Sequence, residues 1–138
     1  MTMATRTAEA PLALKTVSSA VDGYFAGFNA EDYRAVAALF EADGVLLAPF
    51  EEPIVGPEAV YTYLQAEAVS MRAKPVEVES DDMASDGIRR VVVKGRVKTL
   101  LFTVSVRWTF ALTAADTIQS AEIKLVASLQ ELMQLDRG

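Results

Sequence analysis

The sequence predicts an α+β domain in which a curved antiparallel sheet wraps around N-terminal helices. Two observations carry that expectation. Apolar residues recur at three- and four-residue spacings through the first half of the chain, and after Lys74 they alternate, which is the change from a helical to a strand period. The alternation is strictest in TVSVRWTFAL, where Val104, Val106, Trp108, Phe110 and Leu112 share one face and Thr103, Ser105, Arg107, Thr109 and Ala111 the other. No internal repeat, low-complexity run or linker divides the 138 residues. One domain over 14–138 is therefore expected, preceded by a flexible arm over 1–13 whose small and polar residues show no period.

Val17, Ala20, Val21, Tyr24, Phe25 and Phe28 form the apolar stripe of a first helix. Asn29 is the expected cap of a second, with Tyr33, Val36, Ala37 and Phe40 as its buried face and Asp43–Gly44 as its end. A strand starts at Val45, and the prolines and glycine of APFEEPIVG impose a bent connection. Pro57 suits the first turn of a third helix, whose inward stripe is Val60, Tyr61, Leu64, Ala68 and Met71. Val76 and Val78 mark a strand, 81–87 a polar loop, and 88–101 a longer strand with Val91, Val93 and Val97 on one face and Gly95 leaving room between them. The alternating strand 103–112 follows, then a turn and a last strand over 118–126 with Ala121, Ile123 and Leu125 aligned. Leu129, Leu132 and Met133 mark a short amphipathic helix at the end.

Composition excludes whole classes of chemistry. With no cysteine and no histidine, disulfides, thiol nucleophiles, the usual zinc sites and imidazole acid–base catalysis all drop out, and no metal site is expected. Thirteen basic against nineteen acidic residues give a net charge of −6, which disfavours nucleic acid and gives no long-range cationic field toward anionic lipid. No stretch has the roughly 18 apolar residues that span a bilayer. The expectation is a soluble cytoplasmic protein, with transient visits to thylakoid or other membrane surfaces. Trp108, the one tryptophan, carries an indole N–H that is expensive to bury without an acceptor. It either fills the core and donates to a backbone carbonyl or serves a ligand, and the pattern alone leaves both readings open.

The element order resembles the nuclear transport factor 2-like fold, whose members include ketosteroid isomerases, polyketide cyclases and small-molecule binders. A sharper resemblance lies in YFAGFNAEDYRAVAALFEADGVLLAPFEEPIVGPEAV, VKGRVKT, the placement of Trp108 and IKLVASLQELMQL. These segments, covering roughly residues 17–135, are similar to the C-terminal-domain family of the cyanobacterial orange carotenoid protein. They look closer still to its stand-alone homologues, which are carotenoid carriers. The resemblance implies that Tyr24 and Trp108 donate hydrogen bonds to the keto oxygen of a ketocarotenoid such as canthaxanthin or echinenone. It implies further that Phe28, Val55, Met71, Leu101 and Ile123 line the carotenoid tunnel and that Glu67 faces a helical partner domain.

The implied role is carotenoid storage and transfer, with photoprotection by quenching singlet oxygen. The family's N-terminal helical domain has no counterpart in this sequence, so the expected assembly is a homodimer sharing one carotenoid, with a helical carotenoid-binding protein as donor or acceptor. Leu101 stands where the photoactive protein has a tunnel tryptophan, and Phe102 where stand-alone homologues often carry a cysteine, so redox-linked dimerisation is not expected. The last helix either packs or gates the tunnel. An isomerase or cyclase is the competing class, and it needs a carboxylate base inside the cone. Tyr24 could supply its donor, but Glu122 and Lys124 read as a paired strand face and Asp22 points elsewhere. A pigment-free ligand-binding or scaffold dimer is the third reading.

Overall fold

The computed structural model describes residues 16, 18–81 and 85–126. The expected arm and the expected C-terminal helix lie outside the described residues. The described elements are α1 (Ser19–Ala30), α2 (Tyr33–Ala37), β1 (Phe40–Leu47), β2 (Ile54–Val55), α3 (Pro57–Glu67), β3 (Arg72–Ser80), β4 (Arg89–Lys98), β5 (Thr103–Leu112) and β6 (Ile118–Val126). No described helix is long and apolar enough to cross a membrane.

Helix α1 begins where the Ser18 side chain accepts the Val21 N–H at 3.1 Å, which satisfies one of the amides a helix start leaves unpaired. Its buried stripe is Ala20, Val21, Tyr24, Phe25 and Phe28, as the spacing predicts. Asn29 does not cap α2. It lies inside α1, where its amide donates to the Ala73 carbonyl at 2.8 Å and accepts from the Ala73 N–H at 2.7 Å, pinning β3 to the helix. Asp32 is the cap instead, accepting from the Ala35 N–H at 3.2 Å. Gly27 lets the two helices close up, because a Cβ there would come within 2.7 Å of Val36 Cγ2. Helix α2 is also shorter than expected: Phe40 stays buried but already belongs to β1, where it pairs with Ile118.

Six strands form one sheet in the order β2-β1-β6-β5-β4-β3. The sheet is mixed rather than purely antiparallel, since β1 runs parallel to β6 while the other neighbours are antiparallel. Those two strands are far apart in the chain, and the intervening α3 and hairpins supply the long connection that a parallel pair requires. Strands β5 and β6 have the expected bounds. In β3, a bulge between Pro75 and Glu77 turns Val76 outward to 55% exposure, so it does not share an inner face with Val78. Gly95 faces that same stretch, and a Cβ on it would lie 2.2 Å from the Lys74 carbonyl oxygen.

The core lies between α1 and the inner sheet face. Phe25 meets Trp108 edge-on at 4.8 Å between ring centroids, and Tyr24 meets Phe110 edge-on at 5.1 Å. Every second residue of β5 from Val106 to Leu112 is buried. One end of this interface is filled. The other opens into a cavity.

Candidate functional site

Tyr24 and Trp108 form the deep wall of a cavity of about 270 Å³. The helical stripe of α1 aims Tyr24 at the sheet, and the pleat of β5 aims Trp108 back at it; they are 0% and 2% exposed. Phe28 lies beside Tyr24, their rings stacked at 6.2 Å. Leu64, Ala68 and Met71, at the end of α3 and just beyond it, form one side, and Val97, Val104, Val106 and Ile123 form the sheet side. The rim is Ala48, Pro49, Thr99, Phe102 and Leu125, with Tyr63 and Glu67 from α3. Glu67 is the one charged residue among these.

The Tyr24 hydroxyl is buried without a hydrogen-bond partner. Burial raises the phenol's pKa strongly, the nearby Tyr63 phenol adds to the rise, and the Trp108 indole offsets a little of it. The indole thus lies near the phenol oxygen, but no hydrogen bond is formed between them. Tyr24 consequently stays protonated, a donor with no acceptor, in a cavity whose walls are otherwise mostly hydrocarbon. Such a hydroxyl costs about 1–3 kcal/mol relative to a satisfied one. A ligand oxygen placed there would remove that penalty.

Of the residues the sequence singles out, Tyr24, Trp108, Phe28, Met71 and Ile123 meet in this cavity and Glu67 stands on its rim. Val55 and Leu101 do not line it. Val55 belongs to edge strand β2, opposite Val45, and is 55% exposed. Leu101 sits in the β4–β5 turn, where the Thr99 hydroxyl accepts the Leu101 and Phe102 N–H groups at 3.2 and 3.1 Å and holds the Leu101 side chain in solvent. Phe102 reaches the rim instead. Tyr63 is the polar residue that sequence reasoning missed; its phenol is raised by burial first and then by the Glu51 and Glu67 carboxylates. The available signal was its spacing, three residues after Val60 and four before Glu67, a second stripe beside the apolar one.

Glu122 and Asp22, the two carboxylates weighed as catalytic bases, lie away from the cavity. Glu122 pairs with Lys124 at 3.8 Å on the outer sheet face, and Asp22 accepts the Thr16 N–H and hydroxyl at 2.8 and 2.9 Å. Tyr33 has a second buried, unpartnered hydroxyl, but this residue lines a separate groove with Arg34 and Tyr61.

Known proteins share both the sequence and the fold. The chain is 32% identical over 124 residues to the orange carotenoid-binding protein of Synechocystis sp., a match that covers 87% of this chain and 39% of that protein. The orange carotenoid protein of Anabaena (Nostoc) sp. PCC 7120, in a structure binding canthaxanthin, superimposes with a TM-score of 0.77 at 32% identity, over 86% of this chain and 39% of the other. The chain thus spans about two fifths of the length of these relatives, and the part it matches is their C-terminal domain. A polyketide cyclase-like protein of Sinorhizobium meliloti matches with a TM-score of 0.66 at 21% identity, over 78% of this chain and 95% of the other, which bears on fold alone. The fold is nuclear transport factor 2-like, and a family model for the SnoaL-like domain matches residues 21–127. The chain belongs to the SnoaL-like domain family.

Proposed function

We propose that this protein binds a carotenoid and holds one keto-bearing end ring in the cavity, with Tyr24 and Trp108 donating to the keto oxygen. The observation that carries this reading is the buried, unpartnered Tyr24 hydroxyl beside the indole at the end of an apolar cavity. Two convergent donors on one oxygen fix which end of a long apolar molecule enters, while hydrocarbon walls contribute about 25 cal/mol per Å² buried. Phe28, Met71 and Ile123 pack against the ring and the start of the polyene. Drawing electron density toward the ketone also shifts the pigment's absorption to the red. The similarity to orange carotenoid proteins, one of them bound to canthaxanthin, supports the same ligand class, with canthaxanthin and echinenone as the candidates.

The cavity takes only one end of such a molecule, so the remainder extends past Phe102 and Leu125 into a second copy of the chain or a helical carotenoid-binding protein that gives or receives the pigment. Glu67, on the rim, faces that partner. Carrying the pigment serves storage, transfer and the quenching of singlet oxygen.

The test is the visible spectrum of protein purified from cells that synthesise a ketocarotenoid, with Trp108→Phe and Tyr24→Phe prepared alongside. A broad red-shifted band in the parent, moved to the blue or weakened in each folded variant, is the expected result, with one pigment per two chains if it is shared. A colourless parent, purified from cells in which a known carrier is coloured, would overturn the reading and leave a cyclase or a scaffold. Spectra unchanged in both variants would remove the two donors from the keto site.

A further inference from the structure

The outer face of the same sheet carries an arrangement that the fold does not require. Strand register sets Arg72 opposite Lys98, Lys74 opposite Arg96, Lys94 opposite Arg107, and Arg107 opposite Lys124. Four like-charged pairs thus lie directly across from one another, and directly opposed like charges destabilise a sheet. These seven residues are more than half of the thirteen cations of a chain whose net charge is −6. Arg72 is paired with Glu31 and Lys124 with Glu122, but Lys74, Lys94, Arg96, Lys98 and Arg107 form no ion pair among the described residues. Lys94, Arg96 and Arg107 flank a shallow groove of about 270 Å³ that also contains Glu77, Val76 and Val126.

The strands that carry this grid lead into the turn where Leu100, Leu101 and Phe102 are 84%, 86% and 59% exposed. Three consecutive exposed apolar side chains beside a cation cluster call for a partner with anions at one level and hydrocarbon immediately below it. We propose that this end of the sheet docks on an anionic lipid bilayer, with the basic grid against the phosphates and the Leu100–Phe102 turn inserted beneath them. Nucleic acid would satisfy the cations but leave the apolar turn uncovered, whereas a bilayer covers both. Glu77 opposite Lys94 and Glu122 beside Lys124 offset part of the grid, but the rest of the chain is net acidic, which favours the approach of this face. Thr99 and Phe102 also line the cavity rim, so the docked protein would present the cavity mouth at the bilayer surface.

The surface stands whatever the cavity holds, so the test uses the full chain in its colourless form, and its failure leaves the carotenoid reading untouched. Cosedimentation is measured with vesicles of phosphatidylglycerol mixed with phosphatidylcholine, with phosphatidylcholine vesicles alone, and, as a soluble competitor, with polyglutamate. Binding to the mixed vesicles only, weakened by salt, is expected. The double variant Arg96→Glu/Arg107→Glu, with folding checked by circular dichroism, should bind about tenfold or more weakly. Arg107→Gln, a milder change, should give a smaller loss in the same direction, and Leu101→Ser should reduce the fraction that stays bound in high salt. Equal binding to both vesicle types, parent-like binding by the folded charge variants, or displacement by polyglutamate at low excess would each overturn the proposal, the last in favour of an acidic protein partner.

Discussion

The two faces of strand β5 are built from neighbouring residues and obey opposite rules. On the inner face Val106, Trp108 and Phe110 are buried, the two rings against Tyr24 and Phe25 of α1, and the Tyr24 hydroxyl lacks a partner. On the outer face Arg107 lies between Lys94 and Lys124 in open solvent. Each face therefore holds one arrangement unfavourable to the isolated chain: an unsatisfied donor inside and opposed like charges outside. Both become favourable once the right occupant arrives, an oxygen in the first case and anions in the second. Local instability is informative on either side of a sheet, but by different physics. Inside it is a desolvated dipole; outside it is a Coulomb field that salt can screen.

The largest contrast is between Trp108 and its neighbour Thr109. Trp108→Ala empties a site enclosed by Phe25 and the sheet, so unfolding free energy should fall by about 3–5 kcal/mol. Thr109→Ala, on the outer face, should change it by no more than about 0.5 kcal/mol. Denaturant titration of both variants decides the matter, and similar losses would mean that the faces are not as unlike as the burial indicates.

Tyr24→Phe has an effect of middle size and unusual sign. In pigment-free protein it deletes a buried donor that has no acceptor, so stability should rise by about 1 kcal/mol even as keto-ring binding is lost. Alkaline pH sharpens the test. Burial, then Tyr63, raise the folded-state pKa of this phenol above its ordinary value, so the unfolded chain loses the proton first. Stability from this group is fully present below about pH 10 and declines as pH rises beyond it. The variant should therefore show a shallower alkaline decline than the parent. A destabilised variant at neutral pH would mean that the hydroxyl finds a partner in the empty protein.

How much of this was legible in the sequence depends on whether the signal was local. The stripe of α1 and the alternation of β5 are periodic, and they place Tyr24 and Trp108 on buried faces; bringing the two together at one site is what the family resemblance implies. Asn29 looked like a cap because caps are local, whereas its actual partner, Ala73, is 44 residues away. Leu101 and Val55 share a likeness with tunnel positions along the chain, but a tight turn and an edge strand point them into solvent. The bulge at Val76 and the parallel pairing of β1 arise from neighbours that no periodicity announces. The basic face was hidden for another reason: a net charge of −6 averages the surface, and only the register of four strands gathers the cations onto one patch.

That register gives the smallest prediction and the most direct test of the outer face. Arg107→Glu turns two repulsive cross-strand neighbours, Lys94 and Lys124, into attractive ones, and Glu122 beside Lys124 limits the gain. The variant should be more stable than the parent by about 0.2–1 kcal/mol in dilute buffer. Raising the salt should shrink the difference, because exposed charges are screened while packing is not. A gain that persists in high salt would point to side-chain packing or strand propensity rather than charge, and the like-charged rows would then lose their standing as an energetic feature. A gain that disappears with salt, in a variant that also binds anionic vesicles less well, would place stability and docking in opposition at a single residue. The same opposition holds inside the cavity for Tyr24, where the substitution that steadies the empty protein removes the donor its ligand needs.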